Sequence, residues 1–326
     1  FSMTPLYIST LNDIEKMLSK GDFDQALSLY VTLNSQNSEY LDFKSGKMTR
    51  SRFSHIQNAA NLARRDGYTR LQFMESVSPR LKKSLALFFG VEFHPFQNEL
   101  QKPSFFYIPD LPSKPFYQAD EVEGLTDWIV ELQSHKDELL NVGKRANVKY
   151  VGEFENVPAT ETWDKLRDEW LSTHLLKEGK NCSGFESLSL ALRNELENAP
   201  LAFCPPHAPE VFLSVLKPGS YIPPHYGISN CKLTVHIPLQ VTEDASLTVG
   251  EEIFNWGKAN KHLVFDDSFI HSASNKSDKE RAVLILDVWN PALTLDEREG
   301  ITQFMSILSK WNEGAGKLMN LDRGLG

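Results

Sequence analysis

The chain has 326 residues, with 34 Lys and Arg against 43 Asp and Glu and a net charge of −9. That length suits one large domain plus a smaller one, and 41% apolar with 24% charged residues is ordinary for a globular protein. The acidic balance excludes a dominant nucleic-acid role, which needs clustered Lys and Arg, and no apolar run approaches the roughly 18 to 20 residues of a membrane span.

Cys182, Cys204 and Cys231 are too few and too irregularly spaced for a disulfide framework or a thiolate zinc site. A reducing, cytoplasmic setting is expected, with neither nucleic acid nor membrane as a partner. Phe1-Ser2 reads as a remnant ahead of a natural Met3, and a signal peptide is not expected.

Residues 10 to 90 carry helical periods. Leu11, Ile14 and Leu18 share one face, Gly21 punctuates, and Phe23, Ala26, Leu27 and Tyr30 resume behind Asp22 as an N-cap. Residues 55 to 62 and 81 to 89 are further helices, with Gly67 and Pro79 as breaks. Helix pairs joined at glycine suggest a tetratricopeptide-like region, without a repeat of fixed period. The proline-rich stretch 99 to 120 predicts an extended connection, and residues 3–100 and 101–326 are expected to form two domains.

Residues 120 to 142 then read as one amphipathic helix, burying Trp128, Ile129, Leu132 and Leu139. A further helix is expected around 184 to 197. From Glu210 the period becomes two, in "VFLSVL", "KLTVHIPLQV", "EEIFNW", "HLVFDD" and "RAVLILDVW". Many short strands separated by turn residues predict a jelly roll of the cupin type, hence an α+β chain in which a double-stranded β-helix follows an all-α region. The last helix, with Ile301, Phe304, Ile307 and Leu308, is expected to pack on the roll.

Of nine histidines, His55, His94, His135, His207 and His262 read as surface or helix residues, and His174 borders the mouth of the roll. His225 and His271 both end strands beside turns, 46 residues apart. Two imidazoles converging there make half of a non-haem iron site, although paired strand histidines are also often structural. Arg281 opens an apolar strand, where a cation needs an anion. A protein carboxylate or a dicarboxylate co-substrate would each fit its planar fork.

"LSVLKPGSYIPPHYGISNCKLTVHIPL", "VGEEIFNWGKANKHLVFDDSFIHSASN" and "RAVLILDVWNPAL" resemble the aspartyl/asparaginyl β-hydroxylases, which are Fe(II)- and 2-oxoglutarate-dependent oxygenases. The resemblance reaches back into "QKPSFFYIPDLPSKPFY" and covers roughly residues 100 to 300. It implies that His225 and His271 hold Fe(II), that Gly227 stands where other oxygenases place a carboxylate, and that Asp267 orients the water filling that place. It further implies that Ser214 and Arg281 hold the far carboxylate of 2-oxoglutarate, with His236 near the metal-side one.

Lys232, Thr234 and His236 alternate along one strand and should all face into the roll, with Leu233 and Val235 facing away. Animal members carry arginine, which helps to bind substrate and co-substrate carboxylates, where this chain has Lys232 and Thr234, so the resemblance implies that these two positions bind substrate. Lys232 keeps the charge without the fork and Thr234 keeps neither. The family's substrate-facing aromatic and glutamine correspond to Leu176 and Glu178.

The expected activity is hydroxylation of an unactivated carbon with O2 and 2-oxoglutarate, giving succinate and carbon dioxide. The target is the β-carbon of an Asp- or Asn-like group in a peptide, protein or small molecule. The rival expectations are a cupin-like module that binds metal or carboxylate without turnover, while the helical half recruits a protein partner, and a cupin enzyme that does not use 2-oxoglutarate.

Overall fold

The computed structural model describes residues 5–72, 78–144, 160–259 and 261–325, so the reading of residues 1–3 lies outside it. The chain divides into two compact units, Phe1–Phe93 with Gln303–Gly326, and His94–Thr302. The boundary expected between 100 and 101 falls between 93 and 94, and residues 303–326, expected in the second domain, group with the helical unit.

In the first unit, helix Pro5–Lys20 stops at Gly21. Gly21 adopts φ +75 and its N–H bonds Leu18 O, while Asp22 N–H reaches Met17 O. This glycine-ended cap satisfies two terminal carbonyls. Helix Phe23–Gln36 follows at once, without the expected side-chain cap from Asp22. Helix Arg50–Arg70 runs straight through Gly67, which the sequence reading took as a break. A Cβ there would stand 2.3 Å from Phe89 Cε1 and 2.8 Å from Trp311 Cη2, so the glycine admits two rings against the helix. Pro79 starts helix Pro79–Phe88 behind Ser78, whose hydroxyl accepts from Leu81 N–H at 3.2 Å.

The final helix, Leu295–Trp311, was expected on the roll. Its second half belongs to the helical unit, because Phe304 packs edge-on to Phe88 and Trp311 edge-on to Phe89. His55, read as a surface or helix residue, lies on helix Arg50–Arg70 and is buried there with its Nδ1 2.6 Å from Tyr30 Oη.

The second unit is a double-stranded β-helix. Its strands are β1 (Phe116–Tyr117), β2 (Trp170–Lys177), β3 (Lys180–Asn181), β4 (Val211–Leu216), β5 (Tyr221–His225), β6 (Lys232–Gln240), β7 (Ala245–Val249), β8 (Glu252–Asn255), β9 (Leu263–Phe265), β10 (His271–Asn275) and β11 (Arg281–Trp289). Seven strands pair in the order β1-β9-β6-β11-β4-β2-β3 and four in the order β5-β10-β7-β8.

The outer face of the large sheet carries Leu213, Leu233, Val235, Leu284 and Leu286, which pack with Trp128, Leu132, Leu139, Leu192 and Leu196. Those side chains come from helices Leu125–Leu132, Lys136–Lys144 and Leu190–Glu197. A short 3-10 turn, Gln133–His135, breaks the single helix expected over 120 to 142, while the four residues expected to be buried all are. Between the sheets lies a second core that includes Phe212, Ile222, Leu247, Trp256, Phe265 and Ile285. Both faces of β6 and β11 are therefore covered, which explains their nearly continuous apolar runs.

β2 was missed by the sequence reading. Its pairing with β4 shifts register between His174 and Leu176, and both Leu175 and Leu176 join the outer core, so its period of two is broken. No helix among the described residues is long and apolar enough to cross a membrane.

Candidate active site

The pairing of β5 with β10 sets His225 directly opposite His271, with ring centroids 4.1 Å apart. Each ring is turned the same way. His225 Nδ1 lies 2.9 Å from Pro223 O, and His271 Nδ1 lies 2.8 Å from Phe269 O. A carbonyl only accepts, so each Nδ1 carries a proton, and in its neutral form each ring keeps its lone pair on Nε2. This is how metal-binding imidazoles are oriented.

Asp267 stands beside them. A Cβ on Gly227 would meet Asp267 Cγ and Oδ1 at 2.5 Å, so the Asp267 carboxylate fills the space a side chain at 227 would need. The Gly227 N–H donates to Asp267 O at 2.6 Å, fixing the two segments together. Asp267 Oδ1 is buried without a hydrogen-bond partner. Among the described residues no three His, Cys, Asp or Glu converge as a ligand set. The donors are two imidazoles with one carboxylate held against the glycine, which suits a divalent ion completed by water.

The neighbouring aspartate is occupied elsewhere. Asp266 accepts from Ser268 N–H and Oγ–H and from Gln101 Nε2–H, and burial pushes its carboxyl up to about 7.

Deeper between the sheets, Arg281 is 2% exposed. Its Nη2 donates to Ser214 Oγ at 2.8 Å, and the guanidinium lies 5.1 Å over the Trp256 ring. Ser214 Oγ also accepts from Trp170 Nε1–H at 2.9 Å, which leaves its own O–H as a donor. Burial pushes Arg281 down to about 9, so it remains charged at neutral pH. Among the described residues no carboxylate pairs with it, and its Nε has no acceptor. Thr234 Oγ1 and His236 Nδ1 are buried without partners as well. His236 lies over Trp256, and burial, reinforced by the Arg281 charge, holds it neutral. These unsatisfied polar atoms fit an anionic chelator of a metal, since buried polar groups otherwise find partners.

Lys232, Thr234 and His236 all face inward, and Leu233 and Val235 face outward, as the alternation predicted. Leu176 and Glu178 do not join them. Leu176 lies in the outer core because of the β2 bulge. Glu178 is exposed at φ +54, its N–H bonded to Glu210 Oε2.

The sequence reading missed Asp287, Glu210 and Trp256. Asp287 was detectable: it is a lone acid in an apolar strand, in step with Arg281, Val283 and Ile285 on the inner face. His174 does face inward, stacked on Phe212 with Nε2 3.7 Å from Glu210 Oε1. Burial pushes His174 down to about 4 and Glu210 up to about 7. His207, read as a surface or helix residue, lies on no helix and is half-buried with Nε2 2.7 Å from Ser229 Oγ.

Two antiparallel sheets face to face, with paired histidines where two strands end, define a cupin-type double-stranded β-helix. Residues 132–291 match the family model for aspartyl/asparaginyl beta-hydroxylase, and over that stretch the chain is similar to that family. Aspartate beta-hydroxylase domain-containing protein 2 of Mus musculus is 28% identical over 222 residues, covering 63% of this chain and 59% of that protein. Aspartyl/asparaginyl beta-hydroxylase of Homo sapiens is 26% identical over 207 residues, covering 61% of this chain and 26% of that protein. The chain thus matches little more than half the length of the first relative, and less of the second. Among solved structures, DMSP lyase DddQ from Ruegeria pomeroyi aligns over 71% of this chain and 94% of its own, at 12% identity and a TM-score of 0.30. The fold itself is read from the strand order.

Proposed function

We propose that the roll domain is a hydroxylase dependent on Fe(II), 2-oxoglutarate and O2. His225 and His271 would hold the metal through Nε2, and Asp267 Oδ1 would orient a water in the place of a third protein ligand. Arg281 and the Ser214 hydroxyl would take the far carboxylate of 2-oxoglutarate, with Thr234 and His236 along its length. The metal and co-substrate, when bound, supply the oxidising power to hydroxylate an unactivated carbon, with succinate and carbon dioxide as co-products. The protein's part is to orient the reactants and exclude water. Trp163, edge-on to His225 at 5.7 Å, and Phe265, edge-on to His271 at 5.7 Å, wall the histidines.

The observation that carries this reading is Arg281, a buried cation for which the described residues offer no anion. A dicarboxylate that also chelates a metal answers that need and explains why the histidines share the same roll. The substrate class is an Asp- or Asn-like group of a peptide, protein or small molecule, hydroxylated at its β-carbon. The three cysteines are free thiols, which supports a reducing, cytoplasmic setting. The test is succinate release from 2-oxoglutarate by the purified chain with Fe(II), beside Arg281→Ala and His271→Ala. Fe(II)-dependent release lost with His271 and starved of 2-oxoglutarate without Arg281 is expected. Release unchanged by both substitutions contradicts the reading.

A further inference from the structure

Lys232, offered by the sequence as a receptor for a substrate carboxylate, is already engaged. Its Nζ donates to Asp287 Oδ1 at 2.9 Å and stands 3.5 Å from Asp267 Oδ2. Lys232 and Asp287 are 5% and 3% exposed. Asp287 Oδ2 accepts the Glu210 backbone N–H at 2.8 Å, so the acid that anchors the lysine is itself fixed. Asp267 is thereby constrained on both sides. Oδ2 faces the ammonium, while Cγ and Oδ1 lie against Gly227, two residues from His225.

We propose that Lys232 is a positioning residue: anchored by Asp287, it fixes the rotation of Asp267 so that Oδ1 faces the metal-bound water, and it is thereby withdrawn from substrate recognition. This rests on the two-histidine metal reading above. Turning Lys232 toward a substrate carboxylate would leave the buried Asp287 without its cation and the partly buried Asp267 without its neighbour, which is unfavourable. The fork lost relative to arginine is consistent with this role, because a single point charge between two carboxylates needs no planar geometry.

The experiment is a titration of the metal-free protein with Co(II) alone, followed by its visible spectrum and by calorimetry. Wild type is compared with Lys232→Met, Lys232→Gln, Lys232→Arg, Asp267→Asn and the double variant Lys232→Met/Asp267→Asn, with His271→Ala marking the site. Folding of each is checked by circular dichroism, and Lys232→Gln serves where Lys232→Met does not fold. The neutral substitutions are expected to weaken Co(II) binding by about 10-fold or more and to alter the spectrum, as loss of an orienting partner does. Lys232→Arg restores most of the affinity. In the Asp267→Asn background the lysine substitution adds nothing further, because it acts through that carboxylate. A folded neutral Lys232 variant with wild-type Co(II) affinity, or losses that simply add in the double variant, would overturn the positioning role. Wild type that binds no Co(II) at His271 would instead overturn the metal reading beneath it.

Discussion

At the scale of single residues, position 227 shows how little room the site leaves. Any side chain there competes with the Asp267 carboxylate, which lies 2.5 Å from where its Cβ would be. Gly227→Ala is therefore expected to displace Asp267, weakening divalent-metal binding by at least about 10-fold and lowering the melting temperature. Metal titration and thermal unfolding check this, and unchanged metal affinity would contradict it. Arg281→Ala removes charge-assisted contacts of about 1.5–3 kcal/mol. The half-saturating 2-oxoglutarate concentration should rise about 10- to 100-fold, at about 1.4 kcal/mol per tenfold. Arg281→Lys should recover only part, since an ammonium cannot reproduce the fork.

His225, His271, Asp267, Arg281 and Ser214 were legible in the sequence because their motifs keep them in order, and the roll brings them inside. Lys232 was placed on the correct face, but its ion pair with Asp287 was not foreseen. Its direct anchor, Asp287, lies 55 residues away on a neighbouring strand, and strand order cannot be read from a period of two.

At the scale of elements, the central strands show why the fold was easier to read than its edges. β6 and β11 are covered on both faces, so their composition announces them. Truncating Leu284, fully buried in the outer core beneath the helices, should cost about 2–5 kcal/mol. Urea unfolding of Leu284→Ala measures it, and a loss under about 1 kcal/mol would show that the helices do not seal that face. β2 was not legible. Its bulge sends consecutive leucines to one side, and the inward Ser172 and His174 read as polar interruptions. The same bulge sends Leu176 into the outer core, and Glu178 just beyond it is exposed. Gly67 failed for the opposite reason. A glycine within a helix usually marks weakness, but here two aromatic rings need the space.

At the scale of the whole molecule, stability should fall in acid through histidines that the fold holds neutral. Burial, with the Lys232 charge beside it, pushes His207 down to about 3, against about 6.5 in an unfolded chain. On acidification the unfolded chain takes the proton first. The contribution of His207 is therefore full above about pH 6.5 and is lost progressively as pH falls toward about 3. Wild type should lose stability between pH 6.5 and 5 more steeply than His207→Gln, as read from urea midpoints, and parallel profiles would contradict this.

The central claim is that the two histidines and Arg281 act on one metal–dicarboxylate pair inside the roll. Anaerobic titration of the metal-free protein with Fe(II) and 2-oxoglutarate, followed at the visible charge-transfer band of the chelate, tests it most directly. A band in wild type that disappears in His271→Ala, and needs far more 2-oxoglutarate in Arg281→Ala, is the predicted result. A folded, iron-supplied wild type without the band would contradict the account and leave a cupin-like binding module in its place.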